Sequence, residues 1–297
     1  MMHLSIDVGG TYIKYGWISN GELIRKGKVK TPYTNHEDFI SIITNIFNSG
    51  EFEKNGLSIS HPGTINQNTG YIYQGGSLRY NSQLNLKEIL EERLSVPVSI
   101  ENDARCAALA EMIDGNMKGV ENGIVLTFGT GVGCCIIVNN QIYRGSHLFS
   151  GEVSGILTKD ICEFGLDSIL GRQLGIGNLC RRVCAEKGVE IQEGKVVLDW
   201  IINGDSIAVK VFEEYCNILT SQLFNWQLLL DPEKLCIGGG ISENKYFVEK
   251  IKDSMNRFYE NFPVALPRFK IEECKYRNDA NLIGAYYHFI KMNSFID

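Results

Sequence analysis

The stretch IDVGGTYIKYGWISNGEL, residues 6–23, decides how the chain begins to fold. An apolar strand that starts at His3 runs into Gly9-Gly10, a second strand follows, and Asn20-Gly21 turns the chain into a third. Asn-Gly is the dipeptide that best fits a two-residue hairpin turn. The stretch therefore predicts a three-stranded antiparallel meander. Its glycine pair is open to two interpretations, a hairpin corner or a phosphate-binding loop.

The opening pattern returns in the second half of the chain. Its parts there are the apolar strand GIVLTF (123–128), the turn GTGVG (129–133), the strand CCIIV (134–138) and the turn Asn139-Asn140. Eleven residues separate Gly9 from Asn20, and eleven also separate Gly129 from Asn140. The equal spacing predicts an internal duplication of one supersecondary unit.

Strands alternate with helical patterns along the rest of the chain, which predicts an α/β architecture. With the duplication, this predicts two similar lobes with a functional cleft between them. A loop dense in Gly and Asn, residues 114–123, separates them. We expect an N-terminal lobe over residues 1–117, a C-terminal lobe over 118–278, and a last helix, about 279–297, that packs back on the first lobe.

Composition excludes several classes of protein. The 297 residues are 44% hydrophobic and carry a net charge of −6, which argues against binding to nucleic acid. No apolar run is long enough to cross a membrane, and no signal peptide precedes the first strand, so we expect a cytoplasmic protein. The nine cysteines lie mostly in apolar segments, where cysteine behaves as a small hydrophobic residue. Reduced thiols are consistent with the cytoplasm.

Glycine turns follow apolar strands at three places: DVGGT (7–11), GTGVG (129–133) and GGG (238–240). Glycine lets backbone N–H groups approach the oxygens of a polyphosphate. Neither the P-loop pattern nor the dinucleotide G-x-G-x-x-G is present. Three such turns in one chain favour hairpin loops that bind phosphates over simple corners.

Three carboxylates stand where a strand ends or a loop begins. Asp7 ends the first strand, Asp103 follows Asn102 before an Ala-rich helix, and Glu152 lies in SGEVSG. Each has a structural alternative: a turn cap for Asp7, a helix cap for Asp103 and a solvated loop residue for Glu152.

Read together, six segments resemble the motifs of the ROK family of sugar kinases and sugar-responsive regulators. In the family's order they are DVGGTYIKYG, HPGTIN, ENDARCAALAE, LTFGTGVG, GEVSG and CIGGGIS. The resemblance spans residues 4 to about 285. It implies the two-lobed actin-like, ribonuclease-H-like ATPase fold, with a sugar between the lobes and ATP held by hairpin loops. It also implies a homodimer.

The resemblance implies an ATP-dependent carbohydrate kinase. It would transfer the γ-phosphoryl group to a sugar hydroxyl, expected to be the 6-hydroxyl of a hexose or hexoside such as glucose, N-acetylmannosamine or a β-glucoside. Asp103 matches the general base, and Asp7 matches the residue near Mg²⁺. The matches to sugar-binding positions are Gly63, Asn102, Asp103 and Glu152. The matches to ATP-binding loops are Gly9, Gly10, Thr11, Lys14, Thr130, Gly131, Gly133, Gly239 and Gly240.

The chain departs from the family after Glu152. Most members have a histidine and three cysteines there that hold a structural zinc, whereas this chain has Gly155 at the histidine position and Cys162 as the one nearby thiol. Four ligands are needed for such a site, so we predict no zinc. Asp167 is the nearest candidate for a further sugar contact. The small Gly155 leaves room beyond the first carbon of the sugar, which suggests a substituted sugar such as a β-glucoside.

Two other functions are compatible with the resemblance. A sugar-responsive repressor would carry a helix-turn-helix ahead of the first strand, where this sequence has only Met1 to Leu4. A sugar-binding protein without turnover would keep the same sugar contacts. Asp103 favours the kinase, although a helix cap would also explain an aspartate there.

Overall fold

The computed structural model describes residues 1–240 and 245–293. Its strands are β1 (Met2–Val8), β2 (Tyr12–Ser19), β3 (Glu22–Lys30), β4 (Lys54–His61), β5 (Thr64–Asn66), β6 (Tyr71–Gln74), β7 (Leu84–Asn85), β8 (Val98–Asn102), β9 (Gly123–Phe128), β10 (Val132–Val138), β11 (Gln141–Tyr143), β12 (Lys234–Gly239) and β13 (Lys270–Glu273). Its helices are α1 (His36–Asn48), α2 (Leu86–Leu94), α3 (Asp103–Asp114), α4 (Ile161–Phe164), α5 (Leu170–Leu174), α6 (Ile176–Lys187), α7 (Gly194–Ile202), α8 (Ser206–Leu230), α9 (Lys245–Asn261) and α10 (Ala280–Asn293).

The chain divides into two compact units. The first contains Met1–Lys118, Arg144–Ser150 and the chain from Asn278 onward, and the second contains Gly119–Tyr143 and Gly151–Arg277. The lobe limits at residues 117 and 278 stay a prediction. Ile241 and Ser242 of the sixth motif, and residues 294–297 of the predicted last helix, lie outside the described residues.

The first unit is built on a mixed sheet with the strand order β3-β2-β1-β4-β8. The strands β1, β2 and β3 are antiparallel neighbours, while β4 and β8 run parallel to β1. Asn20 and Gly21 have φ values of 50° and 82°, the positive values that a tight hairpin turn requires. The predicted meander is therefore confirmed.

A helix covers the core side of this sheet. Helix α1 begins at the N-cap Asn35, whose side chain accepts a hydrogen bond from the backbone N–H of Asp38 at 2.9 Å. Such a cap satisfies one of the amides that a helix start leaves open. The apolar residues of α1 recur every three or four positions, and burying each stabilises the fold by about 1.5–3 kcal/mol. The buried ones are Phe39, Ile40, Ile43, Ile46 and Phe47.

The second unit repeats the same sheet topology. Its strand order is β11-β10-β9-β12-β13, with β9, β10 and β11 antiparallel and β12 and β13 parallel to β9. Asn139 and Asn140, at the turn that matches Asn20-Gly21, have φ values of 52° and 55°. The predicted duplication is confirmed, because both units place an antiparallel meander beside two parallel strands.

The C-terminal helix α10 packs in the first unit, against α3 and the strands β1, β4 and β8. The contact with α3 is close at Gly284, because a Cβ atom there would overlap the backbone carbonyl of Cys106. The Ser5 hydroxyl donates a hydrogen bond of 2.6 Å to the carbonyl of Leu282, 277 residues later in the chain. Glycine at position 284 thus permits an approach that any larger residue would prevent.

None of the helices in residues 1–240 and 245–293 combines the length and the apolar character that a membrane-spanning helix needs.

Candidate active site

The first glycine turn joins β1 to β2 in the first unit. The Gly9 N–H donates to the carbonyl of Tyr12 at 3.0 Å, and the Thr31 hydroxyl donates to the Gly9 carbonyl at 2.7 Å. The Tyr33 hydroxyl donates to the Gly10 carbonyl. Gly10 is half-buried and Thr11 is exposed. The turn is therefore fixed by one hydrogen bond within the hairpin, which uses the Gly9 N–H, and by two from Thr31 and Tyr33, which follow β3.

Asp7 is buried at the end of β1, opposite Lys14 on β2 and Ser60 on β4. Its Oδ1 accepts hydrogen bonds from Asn281 Nδ2 at 2.9 Å and from the Ser60 hydroxyl at 3.1 Å. Burial raises the pKa of the Asp7 carboxyl, while the Asn281 hydrogen bond, the Lys14 charge and the Ser60 hydrogen bond act in the opposite direction. The sequence did not point to Asn281 or Ser60.

Gly63, Asn102 and Asp103 lie where the parallel strands β4 and β8 end, the edge at which open α/β sheets bind ligands. Gly63 has a φ of 100° and a side chain there would strike the backbone of Gln74, so this position requires glycine. Asn102 Nδ2 donates to the Gly63 carbonyl at 3.0 Å. This hydrogen bond brings together two of the residues matched to the sugar.

The N-cap of α3 is Asn102, whose Oδ1 accepts a hydrogen bond of 3.1 Å from the Arg105 N–H. Asp103 is the first residue of the helix and is half-buried. Its Oδ1 accepts from the N–H of Ala104 at 2.8 Å. The sequence offered helix capping as the alternative role for Asp103, and the neighbouring residue performs it instead.

His61, which the sequence analysis did not select, fixes the loop that carries Gly63. It is fully buried, its Nδ1 lies 2.7 Å from the Pro62 carbonyl, and its Nε2 lies 3.0 Å from Asn81 Nδ2. A neutral imidazole with the proton on Nδ1 satisfies both contacts, donating to Pro62 and accepting from Asn81. Burial lowers the pKa of His61 from 6.5 to about 4, with the Pro62 hydrogen bond acting in the opposite direction.

The free energy of unfolding should therefore decrease as the pH falls from about 6.5 to about 4. In this range an unfolded chain protonates its histidine while the folded chain keeps His61 neutral, so the unfolded state binds more protons. The stabilisation is complete above pH 6.5 and is lost as the pH falls to about 4, where the free energy of unfolding is lower by about 3 kcal/mol. Urea unfolding at several pH values measures the loss. An imidazole of His61 that titrates near pH 6.5 in the folded protein, observed by NMR, would contradict this expectation.

The second glycine turn, in the second unit, joins β9 to β10. Thr130 is exposed and Gly131 is half-buried, and the Gly129 N–H donates to the Gly131 carbonyl at 3.0 Å. Gly133 lies beyond the turn, within β10 and opposite Thr127. It therefore contributes to the sheet next to the turn and not to the turn itself.

The third glycine turn lies beside the second, because Gly239 at the end of β12 pairs in register with Phe128 at the end of β9. Gly239 has a φ of 87°, and a Cβ atom there would meet the Phe128 backbone. At Gly240, no described residue lies within 4 Å of the position of a Cβ atom. The two turns thus form one edge of the sheet in the second unit.

A cavity of about 760 Å³ opens at this edge. Helices α6 and α7 supply most of its wall, which is largely apolar, and Lys195, Asp199 and Lys245 add charged groups. An apolar slot beside glycine turns suits a purine base with its phosphates against the backbone. The lining residues are Phe128, Gly129, Ile176, Leu179, Cys180, Gly194, Lys195, Val197, Leu198, Asp199, Gly240 and Lys245.

Glu152 is half-buried in the second unit, directly before a 3-10 turn over Val153–Gly155. Ser154 holds this turn against β10, since its hydroxyl donates to the Val132 carbonyl at 2.7 Å and accepts from the Val132 N–H at 3.1 Å. Glu152 lies close enough to Cys134 to add to the rise in the thiol's pKa, after burial and Cys135.

A model of the ROK family matches residues 3–292 of this sequence. The chain belongs to the ROK family. It is 30% identical over 291 residues to the β-glucoside kinase of Listeria monocytogenes serovar 1/2a, covering 97% of each chain. It is also 30% identical to the glucokinase of Halalkalibacterium halodurans, covering 95% of this chain and 93% of that one.

A solved structure of a ROK family protein from Streptococcus pneumoniae TIGR4 in complex with sucrose is also similar. Its TM-score is 0.85 at 28% identity, and the match covers 99% of this chain and all of that one. The predicted fold class, an α/β actin-like ATPase fold of duplicated ribonuclease-H-like domains, is confirmed.

In this ROK chain the region after Glu152 differs from the zinc-bearing pattern described above. Gly155 is exposed, and no atom of residues 1–240 or 245–293 lies within 4 Å of the position its Cβ would take. Cys162 is exposed on the short helix α4. Among the described residues, no three His, Cys, Asp or Glu side chains are grouped so that they could hold a metal ion.

Asp167 lies in the same region. Its carboxylate is 3.4 Å from Arg172 Nε, and its side chain is 78% exposed. With Arg172 it lines a cavity of about 750 Å³ in the second unit, where most of the lining residues, including those of α6 and α8, are polar or charged types. The high exposure shows that Asp167 is not fixed by packing, and its contact with a sugar stays a prediction.

Proposed function

We propose that this ROK protein is an ATP-dependent carbohydrate kinase that transfers the γ-phosphoryl group to the 6-hydroxyl of a hexose or hexoside, and that β-glucosides are its preferred acceptors. The observation that carries the proposal is the Asn102-Asp103 pair at the carboxyl end of β8, with Asn102 bound to Gly63 and serving as the helix cap. It stands in a chain that aligns with sugar kinases over nearly its full length.

Asp103 is the proposed general base. Its carboxylate accepts the proton of the acceptor hydroxyl while that oxygen forms a bond to the γ-phosphorus and the bond to the β-phosphate oxygen breaks. The job requires an ionised carboxylate within hydrogen-bond reach of the hydroxyl, on a rigid support. The start of α3 supplies this support, because capping by Asn102 fixes the backbone on which Asp103 stands.

The other sugar contacts are proposed for Gly63, Asn102, Glu152 and Asp167. The Asn102 amide gives one N–H to Gly63 and carries a second that can donate to a sugar hydroxyl. A carboxylate such as Glu152 can accept hydrogen bonds from two neighbouring hydroxyls.

ATP is proposed to bind at the glycine turns. The cavity of the second unit would take the base, and the amides and hydroxyls around Thr130, Gly131, Gly239 and Gly240 would contact the phosphates. Lys14 and the turn over Gly9, Gly10 and Thr11 would add contacts from the first unit. Gly133, which lies within β10 next to the turn, is proposed to add a further contact to the phosphates.

Asp7 is the proposed residue toward Mg²⁺. This ion is usually held by one or two carboxylates together with substrate phosphates and water, so a single carboxylate at a strand end fits. When bound, Mg²⁺ neutralises charge on the phosphate oxygens. Asn281 and Ser60 both bind Oδ1 of Asp7 and so hold its carboxylate in one orientation. A homodimer and a cytoplasmic location, expected from the resemblance and the composition, complete the proposal.

The preference for β-glucosides rests on Gly155. The open space at this position leaves room for a substituent on the first carbon of the sugar. The similarity to a β-glucoside kinase supports the same acceptor class.

A panel assay tests the proposal. With Mg-ATP we expect ADP release, and kcat/KM for cellobiose and phenyl β-glucoside at least about 10-fold above that for glucose and N-acetylmannosamine, a difference that one well-fitting group can give. Gly155→His should reverse the preference, because the imidazole would fill the open space, and the backbone there has no positive φ to strain.

The outcomes separate the two parts of the proposal. Free hexoses phosphorylated far faster than β-glucosides would remove the acceptor preference and leave the kinase. Sugar binding by calorimetry without ADP release from any sugar on the panel would instead support a sugar-binding ROK protein without turnover.

A further inference from the structure

Glu101 is a fully buried carboxylate next to the proposed active-site pair. It lies one residue before Asn102 in β8, and its side chain is 0% exposed. Its Oε1 accepts a hydrogen bond from the Asn102 N–H at 2.8 Å, and its Oε2 is 2.6 Å from Arg144 Nη2. Arg105 Nη1 lies 4.0 Å from Oε1. Two arginines therefore face one carboxylate that also binds the backbone of Asn102.

Arg105 also binds the segment that contains Arg144. Its Nη2 donates to the Leu148 carbonyl at 2.7 Å and approaches the Ser150 carbonyl at 3.5 Å. Leu148 has a φ of 59°, an unfavourable value for a leucine that persists only when the surroundings impose it. The segment Arg144–Ser150 is thus held at its first residue by Glu101 and near its last by Arg105.

This network connects Asn102 with the segment that precedes Glu152, and both residues are proposed sugar contacts. On one side it reaches Asn102, which caps α3 directly before Asp103. On the other side, Arg144–Ser150 leads without interruption into Gly151-Glu152. The segment belongs to the first unit although the residues on both sides of it belong to the second.

A buried ion network is a poor way to gain stability. The desolvation of the charges offsets their attraction, and well-packed apolar residues of similar size are often as stable or more so. A network of this kind is therefore explained better by the geometry it imposes than by the free energy it contributes. The imposed geometry here is the position of the backbone at Asn102 and at Leu148.

We propose that Glu101, Arg105 and Arg144 are positioning residues for phosphoryl transfer: they hold the Asn102-Asp103 pair and the segment that leads to Glu152 in the arrangement that the acceptor sugar requires. The inference rests on the proposed function of Asp103. The three residues act through Asn102, Asp103 and Glu152, and they take no part in proton or phosphoryl transfer themselves.

The test compares Arg144→Met, Arg144→Lys and the double variant Glu101→Gln/Arg144→Met. Arg144→Met alone leaves a buried carboxylate with less compensation and can fail to fold. The double variant removes both charges, and Arg144→Lys keeps the charge without the planar fork. Thermal unfolding identifies the folded variants, and only these are assayed.

We expect the folded double variant to lose about 10- to 100-fold in kcat with the best sugar of the panel, the size of effect that a small misplacement of catalytic groups causes. Arg144→Lys should recover part of this loss. The KM for ATP should stay within about twofold of wild type, because the hydrogen bonds and ion pairs described for the network reach Asn102, Leu148 and Ser150, and none of these is a residue proposed for ATP. A variant damaged only in stability would not separate kcat from the KM for ATP in this way.

Arg93→Met is the matched control. Arg93 Nη2 lies 2.7 Å from Glu37 Oε2, the same type of pair in the same unit, but both side chains are exposed. We expect its kcat to stay within about twofold of wild type, as for most surface ion pairs.

A folded double variant with the kcat of wild type would overturn the inference, and so would a loss shared equally by the control. If wild type releases no ADP with any sugar, the proposed kinase activity is wrong. The positioning role of the network is then tested by the Kd of the sugar in wild type and in the double variant. In that case a Kd for the sugar that is the same in wild type and the double variant overturns it, and a weakening of about tenfold supports it.

Discussion

Asp103→Asn is expected to lower kcat by about 100-fold or more while it leaves the fold intact. The amide is nearly the same size as the carboxylate, and its oxygen can still accept the hydrogen bond from Ala104. The cap of α3 belongs to Asn102 and is not touched. An amide cannot take a proton from the acceptor hydroxyl at neutral pH, and loss of a general base typically costs 10²- to 10⁴-fold in rate.

ADP release with the best sugar of the panel measures kcat, and calorimetry measures whether the sugar still binds. Asp205→Asn serves as the control, because Asp205 also stands at a helix start and accepts a hydrogen bond from the Ala208 N–H at 3.0 Å. It should retain nearly full activity. If the kcat of Asp103→Asn stays within about tenfold of wild type, Asp103 is not the general base. The amide oxygen of asparagine can still accept a hydrogen bond from the acceptor hydroxyl, but it cannot take up the proton.

Gly284→Ala is expected to destabilise the protein by about 3 kcal/mol, the upper part of the range for overpacking. The new methyl group would overlap the Cys106 carbonyl, which belongs to the backbone of α3 and cannot rotate away as a side chain can. The helices α3 and α10 would have to separate, which would weaken a contact on which the core of the first unit depends.

Urea unfolding measures this change, with Gly177→Ala as the control. Gly177 lies in helix α6, and in the part of the chain that the structure describes no atom is within 4 Å of the position its Cβ would take. Alanine favours a helix more than glycine does, so this variant should be as stable as wild type or slightly more stable. A Gly284→Ala protein as stable as wild type would show that α10 approaches α3 less closely than described here.

The parts of the fold that the sequence predicts are those encoded locally. Asn20-Gly21 and Asn139-Asn140 adopt turn conformations that few residues tolerate, so each marks a hairpin by itself. The equal spacing of the two hairpins predicts the duplication, and the strand-to-helix junction at Asn102 points to a ligand-binding edge. All of these signals act over about a dozen residues.

The residues that the sequence did not predict are held by contacts between distant segments. Asn281 binds Asp7 from 274 positions away, and Arg144 reaches Glu101 from 43 positions away. The walls of the cavity at the glycine turns come from α6 and α7, whose apolar residues look like ordinary helix core in sequence. Neither the spacing of apolar residues nor the sequence of a turn predicts such long-range contacts, because the contacts depend on how complete helices and strands pack against one another.

Two residues of the predicted site lie at slightly different places in their elements than the motifs suggest. Gly133, which the resemblance matches to a phosphate loop, lies in the strand that follows the turn, and its contact with ATP stays a prediction. Helix capping was offered as an alternative for Asp103, and the structure assigns it to Asn102. In both cases the element boundary lies within a residue or two of the position that the sequence pattern suggests, which is the accuracy with which such patterns locate the end of an element.

The packing of α10 also sets an order for folding during synthesis. The second unit has all of its sequence once residue 277 has left the ribosome, whereas the first unit, which supplies the N-terminal sheet, still lacks the helix that covers β1 and β4. Nascent chains usually fold from the N-terminus. Here the apolar core of the first unit is incomplete until residues 280–293 have been synthesised. The first unit therefore begins to be synthesised before the second unit but receives its last helix after it.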